Sequence, residues 1–154
     1  MKSKPCYYAT APKIEYGRFS LKYIRNQVKA CRQNPILPLT LLGYKINLRG
    51  FAMRTFFYYG FDCVTCKAKG SYFALEATLD RPSKPSLTLY TNNHVMMTCD
   101  HKIARALGGA NRLENLQPMC FNCNNAKAQI EGKLASLQRE NDVDFWLDTF
   151  IDRR

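Results

Sequence analysis

The chain has 154 residues, of which 46% are hydrophobic and 12% aromatic, so it can bury one modest core. No run of about 18 uncharged apolar residues exists, so we expect no membrane-spanning helix and no membrane partner. Lys and Arg outnumber Asp and Glu by 23 to 12, which gives a net charge of +11. A surplus of that size indicates a phosphate-rich partner such as nucleic acid, rather than a charge that serves solubility alone.

The positive charge is concentrated near the start of the chain. Residues 1–34 hold eight basic side chains against one acidic, whereas residues 128–154 hold four basic and six acidic. Residues 1–17 lack a hydrophobic period and are predicted to form an irregular arm. The arm begins with basic residues as a signal peptide does, but Lys13, Glu15 and Arg18 interrupt the apolar run that a signal needs. We therefore expect the protein to stay in the compartment where it is made.

Two helices are predicted before the first cysteine pair. Ser20 can cap a helix over Leu21–Gln33, with apolar side chains on one face and basic ones around the rest. A second helix is predicted over residues 48–59 and ends at Gly60.

The rest of the chain alternates short strands with helical segments. Short β-prone runs predict strands over residues 72–78, 87–91, 95–99 and 116–119. A helix is predicted over residues 124–140, with one apolar stripe made of Ile130, Leu134 and Leu137. A last amphipathic helix is predicted over residues 143–151, where its stripe is expected to pack back on the body.

Seven cysteines, an odd number, argue against a disulfide framework. Four of them form two CxxC pairs, Cys63 with Cys66 and Cys120 with Cys123. Two such pairs are the ligand set of a tetrahedral four-thiolate zinc site. The 53 residues between the pairs must hold folded structure. The other three, Cys6, Cys31 and Cys99, are expected to be small buried hydrophobic residues.

A second group of polar residues lies beside the downstream cysteine pair. Asp100 and His101 end a predicted strand, and Asn124 follows Cys123 as the expected first residue of a helix. This arrangement can bring Asp100 and Asn124 to one cation, and two oxygen ligands suit Mg²⁺ or Mn²⁺. His101 should point to the other face of the strand from Asp100, where it can accept a proton from water.

The window from Thr98 to Lys127 resembles the HNH endonuclease motif. The resemblance rests on Asp100-His101-Lys102-Ile103, Gly108-Gly109, Glu114-Asn115-Leu116-Gln117 and Cys120-x-x-Cys123-Asn124-x-x-Lys127, together with the upstream CxxC pair. It covers about 30 contiguous residues and does not extend to residues 1–47. The implied fold is α+β, with a ββα-metal core and the four-cysteine zinc site, N-terminal basic helices and C-terminal helices.

The resemblance also implies roles for individual residues. His101 would be the general base, and Asp100 and Asn124 would bind the catalytic cation. Asn115 would hold the loop and orient the base. The last motif position is often His; the Asn at this position favours Mg²⁺ over softer ions. The implied reaction hydrolyses a DNA phosphodiester with one metal ion and leaves 3′-OH and 5′-phosphate ends.

Arg105, Arg112 and Lys127 are candidates for nucleic-acid contacts, with a merely solvated side chain as the alternative for each, whereas His94 is expected to be structural. We predict a basic extension over residues 1–47 that contacts DNA, and a nuclease domain over residues 48–154. The substrate would be duplex or branched DNA, and the enzyme a homing, restriction-like or phage DNA-processing nuclease in the cytoplasm of a bacterial or phage-infected cell. A homodimer would suit double-strand cleavage. The alternatives are a zinc-finger-like DNA-binding module without catalysis and a nuclease that acts on RNA.

Overall fold

The computed structural model describes residues 11–33 and 38–151, with side chains described as far as residue 141. Within these ranges the chain is a mixed α+β fold with antiparallel sheets. Its elements are β1 (Lys13–Ser20), α1 (Leu21–Gln33), β2 (Thr40–Leu41), β3 (Tyr44–Lys45), α2 (Phe51–Tyr59), β4 (Gly70–Thr78), β5 (Ser86–Thr91), β6 (Met97–His101), β7 (Leu116–Cys120) and α3 (Phe121–Ile151). Two short 3₁₀ turns, Arg105–Leu107 and Leu113–Asn115, lie between β6 and β7.

A three-stranded antiparallel sheet in the order β1-β4-β5 supports the main core. Side chains alternate between its faces, and Phe73, Leu75 and Leu89 are fully buried. The helices α1 and α2 add apolar side chains to the same cluster, among them Ile24 and Phe56. Burial contributes about 1.5–3 kcal/mol per large side chain, so this cluster is a major source of stability.

Strand β1 occupies part of the segment that the sequence predicted to be irregular, so that prediction is wrong for residues 13–17. β1 pairs antiparallel with β4, but a bulge between Glu15 and Gly17 shifts the register. The bulge breaks the two-residue alternation by which a strand is recognised in a sequence. Residues 1–10 of the predicted arm lie outside the described residues.

The two predicted helices before the first cysteine pair are both present. Helix α1 has the predicted bounds, and the Oγ of Ser20 accepts a hydrogen bond from the backbone N–H of Tyr23 at 3.2 Å. Helix α2 begins at Phe51, three residues later than predicted. Gly60 ends it with a φ of +99°, a conformation that glycine adopts without strain.

Strands β6 and β7 form an antiparallel hairpin that leads directly into α3. Asp100 lies opposite Gln117 in this hairpin. The backbone N–H of Phe121 donates to the carbonyl oxygen of Met96 at 2.8 Å, so the first turn of α3 is fixed to the hairpin. The hairpin and helix confirm the predicted ββα core.

Helix α3 differs from the prediction at both ends. It begins at Phe121 instead of residue 124, and it continues unbroken to Ile151 where two helices were expected. The sequence has neither Gly nor Pro between residues 140 and 143 to end the first helix. The predicted stripe is exposed, with Leu134 at 48% and Ile130 at 62%. The side chains of residues 143–151, including Trp146, lie outside the described part.

None of the helices in the described ranges combines the length and the apolar character that crossing a bilayer requires.

The loop between β6 and β7 folds back so tightly that it requires glycine at residue 109. A Cβ atom on Gly109 would lie 1.9 Å from the carbonyl oxygen of Ile103 and 2.9 Å from that of Ala104. Both neighbours are backbone atoms, so a side chain could be accommodated only by shifting the loop. We expect Gly109→Ala to lower the free energy of unfolding by about 1–3 kcal/mol, as overpacking does elsewhere.

Thermal unfolding followed by circular dichroism measures this effect, with Gly132→Ala as the control. Gly132 lies in α3 and a Cβ there meets nothing within 4 Å, so alanine should stabilise the helix by about 0.5–1 kcal/mol. If Gly109→Ala were as stable as the parent protein, the loop would not have the close backbone approach described above.

Candidate active site and cysteine cluster

The four paired cysteines meet at one point, although their pairs are far apart in sequence. The Sγ atoms of Cys63, Cys66, Cys120 and Cys123 all lie within 4.8 Å of one another, and those of Cys66 and Cys120 are 3.6 Å apart. A tetrahedral zinc with bonds of about 2.3 Å would place its sulfur ligands about 3.8 Å apart. The cluster could therefore hold a zinc ion.

The first cysteine pair is fixed to the second by backbone hydrogen bonds. The N–H of Lys67 donates to the carbonyl of Cys63 at 3.0 Å, which closes the turn, and Lys67 has a φ of +62°. The N–H of Val64 donates at 3.0 Å to the carbonyl of Pro118, on the strand that leads into the second pair. These contacts close the first turn and hold it against the strand that leads into the second pair.

The thiols of the cluster influence each other's ionisation. Burial disfavours the Cys63 thiolate, but backbone N–H groups of Cys120, Cys66 and Thr65 direct hydrogen bonds at its sulfur and bring its pKa down to about 6. Hydrogen bonding with Cys120, followed by burial, raises the pKa of Cys123 to about 12. One sulfur thus ionises readily and another resists it, and a bound cation is what would allow four thiolates to coexist.

The two described cysteines outside the cluster, Cys31 and Cys99, are half-buried. The Sγ of Cys99 lies 3.1 Å from the Oγ1 of Thr55, and burial raises the pKa of the Cys99 thiol. Cys31 packs against the core, and Cys6 lies outside the described residues. His94, expected to be structural, is exposed with its Nδ1 2.7 Å from the Tyr72 hydroxyl.

The carboxylate of Asp100 is buried at the end of β6, with 8% of the residue exposed. Its Oδ2 accepts a hydrogen bond from the Nε2 of Gln117 at 2.9 Å and lies 3.1 Å from the Nζ of Lys127. The amide orients the carboxylate, and the ammonium compensates its charge, which a buried acid requires.

The Lys127 side chain contacts Asp100. It does not extend into solvent, as a side chain that contacts phosphate would be expected to do. Its Nζ also donates to the carbonyl oxygen of His101 at 2.6 Å and pairs with the Oε1 of Glu131 at 2.7 Å. Burial works against the charged form of Lys127, but the hydrogen bonds to Glu131 and Asp100 outweigh it and raise the pKa of the ammonium.

The imidazole of His101 is half-buried, and its hydrogen-bond partner is Asn111. The His101 Nε2 and the Asn111 Oδ1 are 3.1 Å apart. Because a carboxamide oxygen only accepts, this contact requires a proton on Nε2 and makes Nδ1 the basic nitrogen of the neutral ring.

Asn115, expected both to hold the loop and to orient the base, makes three hydrogen bonds within the loop. Its Oδ1 accepts from the N–H of Ile103 at 3.0 Å, and its Nδ2 donates to the carbonyls of Ile103 at 3.0 Å and Ala110 at 2.9 Å. The contact with the His101 ring comes from Asn111, whereas these hydrogen bonds of Asn115 all lie within the loop.

The amide of Asn124 has a fixed orientation. Its Nδ2 donates to the Oγ1 of Thr98 at 2.9 Å, and the Thr98 hydroxyl in turn donates to the carbonyl of Met119 at 2.8 Å. Since the hydroxyl proton is committed to Met119, the hydroxyl oxygen must accept from the NH₂ side of the amide. Thr98 lies two residues before Asp100, on the same face of β6.

Four residues of this neighbourhood received no role from the sequence: Thr98, Asn111, Gln117 and Glu131. Two of them had a signal, since Gln117 pairs with Asp100 in a hairpin and Glu131 follows Lys127 by one helical turn. The predicted nucleic-acid contacts Arg105 and Arg112 are both exposed, on either side of the glycine loop.

Residues 90–129 match the sequence model of the HNH endonuclease family, which confirms the predicted HNH resemblance over that part of the chain. The match contains β6, β7, the start of α3 and the second cysteine pair, while Cys63 and Cys66 lie outside it. The chain thus carries an HNH endonuclease domain. This domain supports a nuclease, which is a kind of hydrolase. No curated protein and no solved structure matched the chain.

Proposed function

We propose that the protein is a metal-dependent endonuclease that hydrolyses DNA phosphodiester bonds. The observation that carries the proposal is the adjacent pair of Asp100 and His101, which ends β6 within the segment that matches the HNH family. A structural zinc on the four cysteines would hold the start of α3 in place. A nuclease of this kind explains why a buried carboxylate and an imidazole lie side by side, which a DNA-binding module without catalysis would not need.

Asp100 and Asn124 are the proposed ligands of the catalytic cation. The donors are a carboxylate and an amide oxygen, which suit Mg²⁺ or Mn²⁺ better than softer ions. Two contacts support this fit. The Gln117 amide orients the buried Asp100 carboxylate, and the Thr98 contact fixes the Asn124 amide so that Oδ1 faces away from the hydroxyl.

The proposed role of His101 is to take a proton from the attacking water at Nδ1, while Asn111 holds Nε2. Asn115 keeps the loop in register, so that the imidazole stays at the end of β6. When bound, the cation supplies positive charge for the phosphate and the departing 3′-oxygen. The expected ends are 3′-OH and 5′-phosphate.

Net charge supports DNA as the substrate. The chain carries a charge of +11, and Arg105 and Arg112 are exposed beside the glycine loop. Helix α1 presents a largely exposed basic surface of Lys22, Arg25, Lys29 and Arg32. The segment 1–47 is therefore proposed to contact duplex or branched DNA, in a homing, restriction-like or phage DNA-processing enzyme. A homodimer is proposed for cleavage of both strands.

A supercoiled-plasmid assay tests the proposal. The protein should relax or linearise the plasmid with Mg²⁺ or Mn²⁺ and leave it supercoiled with EDTA. Asp100→Asn, which keeps the size of the side chain and removes its charge, should bind DNA and fail to cut it. A parent protein that binds the plasmid and leaves it intact with either ion would support a DNA-binding module. Cleavage of RNA in preference to DNA of the same sequence would support the second alternative.

Thr98 should matter for metal use although it ligates nothing in the proposed site. Thr98→Val removes the hydroxyl at nearly constant volume and frees the Asn124 amide to rotate. We expect the Mg²⁺ concentration for half-maximal cleavage to rise about tenfold, as for other residues that orient metal ligands. Thr98→Ser keeps the hydroxyl and should behave as the parent protein. Equal Mg²⁺ requirements for Thr98→Val and Thr98→Ser would contradict the role given to the hydroxyl.

A further inference from the structure

We propose that Lys127 is an internal counter-cation that competes with the catalytic metal ion for Asp100, and that Glu131 holds the ammonium when the ion is bound. This inference rests on the proposed function, because it takes Asp100 to be a ligand of that ion. It assigns a positioning role to both residues, in place of the phosphate contact expected of Lys127.

Three oxygen atoms surround the Lys127 ammonium. These are the Oδ2 of Asp100 at 3.1 Å, the carbonyl oxygen of His101 at 2.6 Å and the Oε1 of Glu131 at 2.7 Å. Lys127 therefore neutralises the carboxylate that would ligate the cation. Asp100 is too buried for water alone to offset its charge, so a positive partner is needed whenever the metal ion is absent.

A divalent ion at Asp100 changes this balance. An ammonium and a doubly charged ion a few ångströms apart repel each other strongly at the dielectric constant of a half-buried site. The bond to Asp100 is the longest of the three, whereas the Glu131 contact is short and lies one helical turn further along α3. Rotation of the flexible lysine side chain can give up Asp100 and keep Glu131, with no movement of the backbone.

Binding of Mn²⁺ to the zinc-loaded protein tests the inference without reference to cleavage. Four thiolates select zinc, so added Mn²⁺ should report on oxygen ligands. The EPR signal of free Mn²⁺ gives the dissociation constant. Lys127→Met keeps the apolar stem and removes the competing charge, so Mn²⁺ should bind at least tenfold more tightly. Lys133→Met removes the same charge from an exposed position on α3 and should leave the constant within about twofold.

Glu131→Gln should have the opposite effect. Without its second carboxylate the ammonium stays on Asp100, and Mn²⁺ binding should weaken several-fold. In the Lys127→Met background no ammonium remains to be held, so adding Glu131→Gln should then change nothing. A further weakening in that background would mean that Glu131 acts directly on the ion, and would overturn its assigned role.

Each remaining outcome has one meaning. Unchanged or weaker Mn²⁺ binding by Lys127→Met overturns the competition, because a merely structural lysine would not tighten binding when removed. Asp100→Asn should bind Mn²⁺ much more weakly than the parent protein. If Asp100→Asn binds Mn²⁺ as the parent does, the proposed metal site itself is wrong. If Asp100→Asn loses binding while Lys127→Met gains none, only the role of Lys127 fails.

Discussion

Replacing His101 with alanine is expected to slow plasmid cleavage by about 10²–10⁴-fold, the contribution typical of a general base. The loss should fall on the chemical step, because the imidazole is not a proposed metal ligand and its contact is with Asn111. DNA binding and Mn²⁺ binding should therefore stay close to those of the parent protein. A reduced rate with unchanged binding is the result that distinguishes a base from a structural side chain.

Single-turnover cleavage of a labelled duplex measures this rate, and a gel-shift titration measures binding of the same duplex. His94→Ala is the matched control, since His94 is the other histidine of the chain and its ring contacts Tyr72, outside the proposed site. His94→Ala should cleave at nearly the parent rate. Cleavage by His101→Ala at the parent rate would contradict the role of His101 as the general base.

Replacing Cys63 with serine is expected to unfold the domain, and not merely to lower the rate of cleavage. The Cys63 side chain is fully buried, and its sulfur belongs to the four-sulfur cluster. Zinc bound by four thiolates contributes about 10–16 kcal/mol of apparent binding free energy, which rivals the whole stability of about 5–15 kcal/mol of a typical domain. Loss of one ligand should thus cost most of the folding free energy.

Zinc content by metal analysis and thermal unfolding by circular dichroism measure the effect. The parent protein should carry one zinc per chain, and a strong chelator should lower its melting temperature sharply. Cys31→Ser serves as the control, because Cys31 is a half-buried cysteine that contacts the core and lies outside the cluster. It should keep its zinc and lose little stability. A soluble and fully active Cys63→Ser protein would refute the structural role of the cluster.

Features set by local sequence could be predicted well. The α1 helix has the predicted bounds because an apolar stripe, a serine cap and a basic exposed face all specify it within one segment. The cysteine cluster was predictable because two CxxC pairs carry their geometry in their spacing. The ββα core followed from the residues around Asp100 and Asn124 in the same way.

Features set by distant contacts could not be predicted. Strand β1 depends on β4, more than 50 residues away, and its bulge hides the alternation. Helix α3 begins earlier than predicted because the backbone N–H of Phe121 donates to the carbonyl oxygen of Met96. Helix propensity does not reveal such a contact between distant residues. The partners of the proposed catalytic groups are similar cases. Asn111 reaches His101 only because the loop folds back at Gly109.

The spacing of the cysteine pairs also sets the order of events during biosynthesis. Cys66 precedes Cys120 by 53 intervening residues, and these residues include β4, β5 and β6. At roughly 5–20 residues per second, the first pair leaves the ribosome about 3–11 seconds before its partners. The β4–β5 hairpin can form in that interval, but the cluster cannot close. Any metal capture by the four cysteines would therefore follow the synthesis of these strands, and the proposed nuclease centre could not assemble before Cys123 has been made.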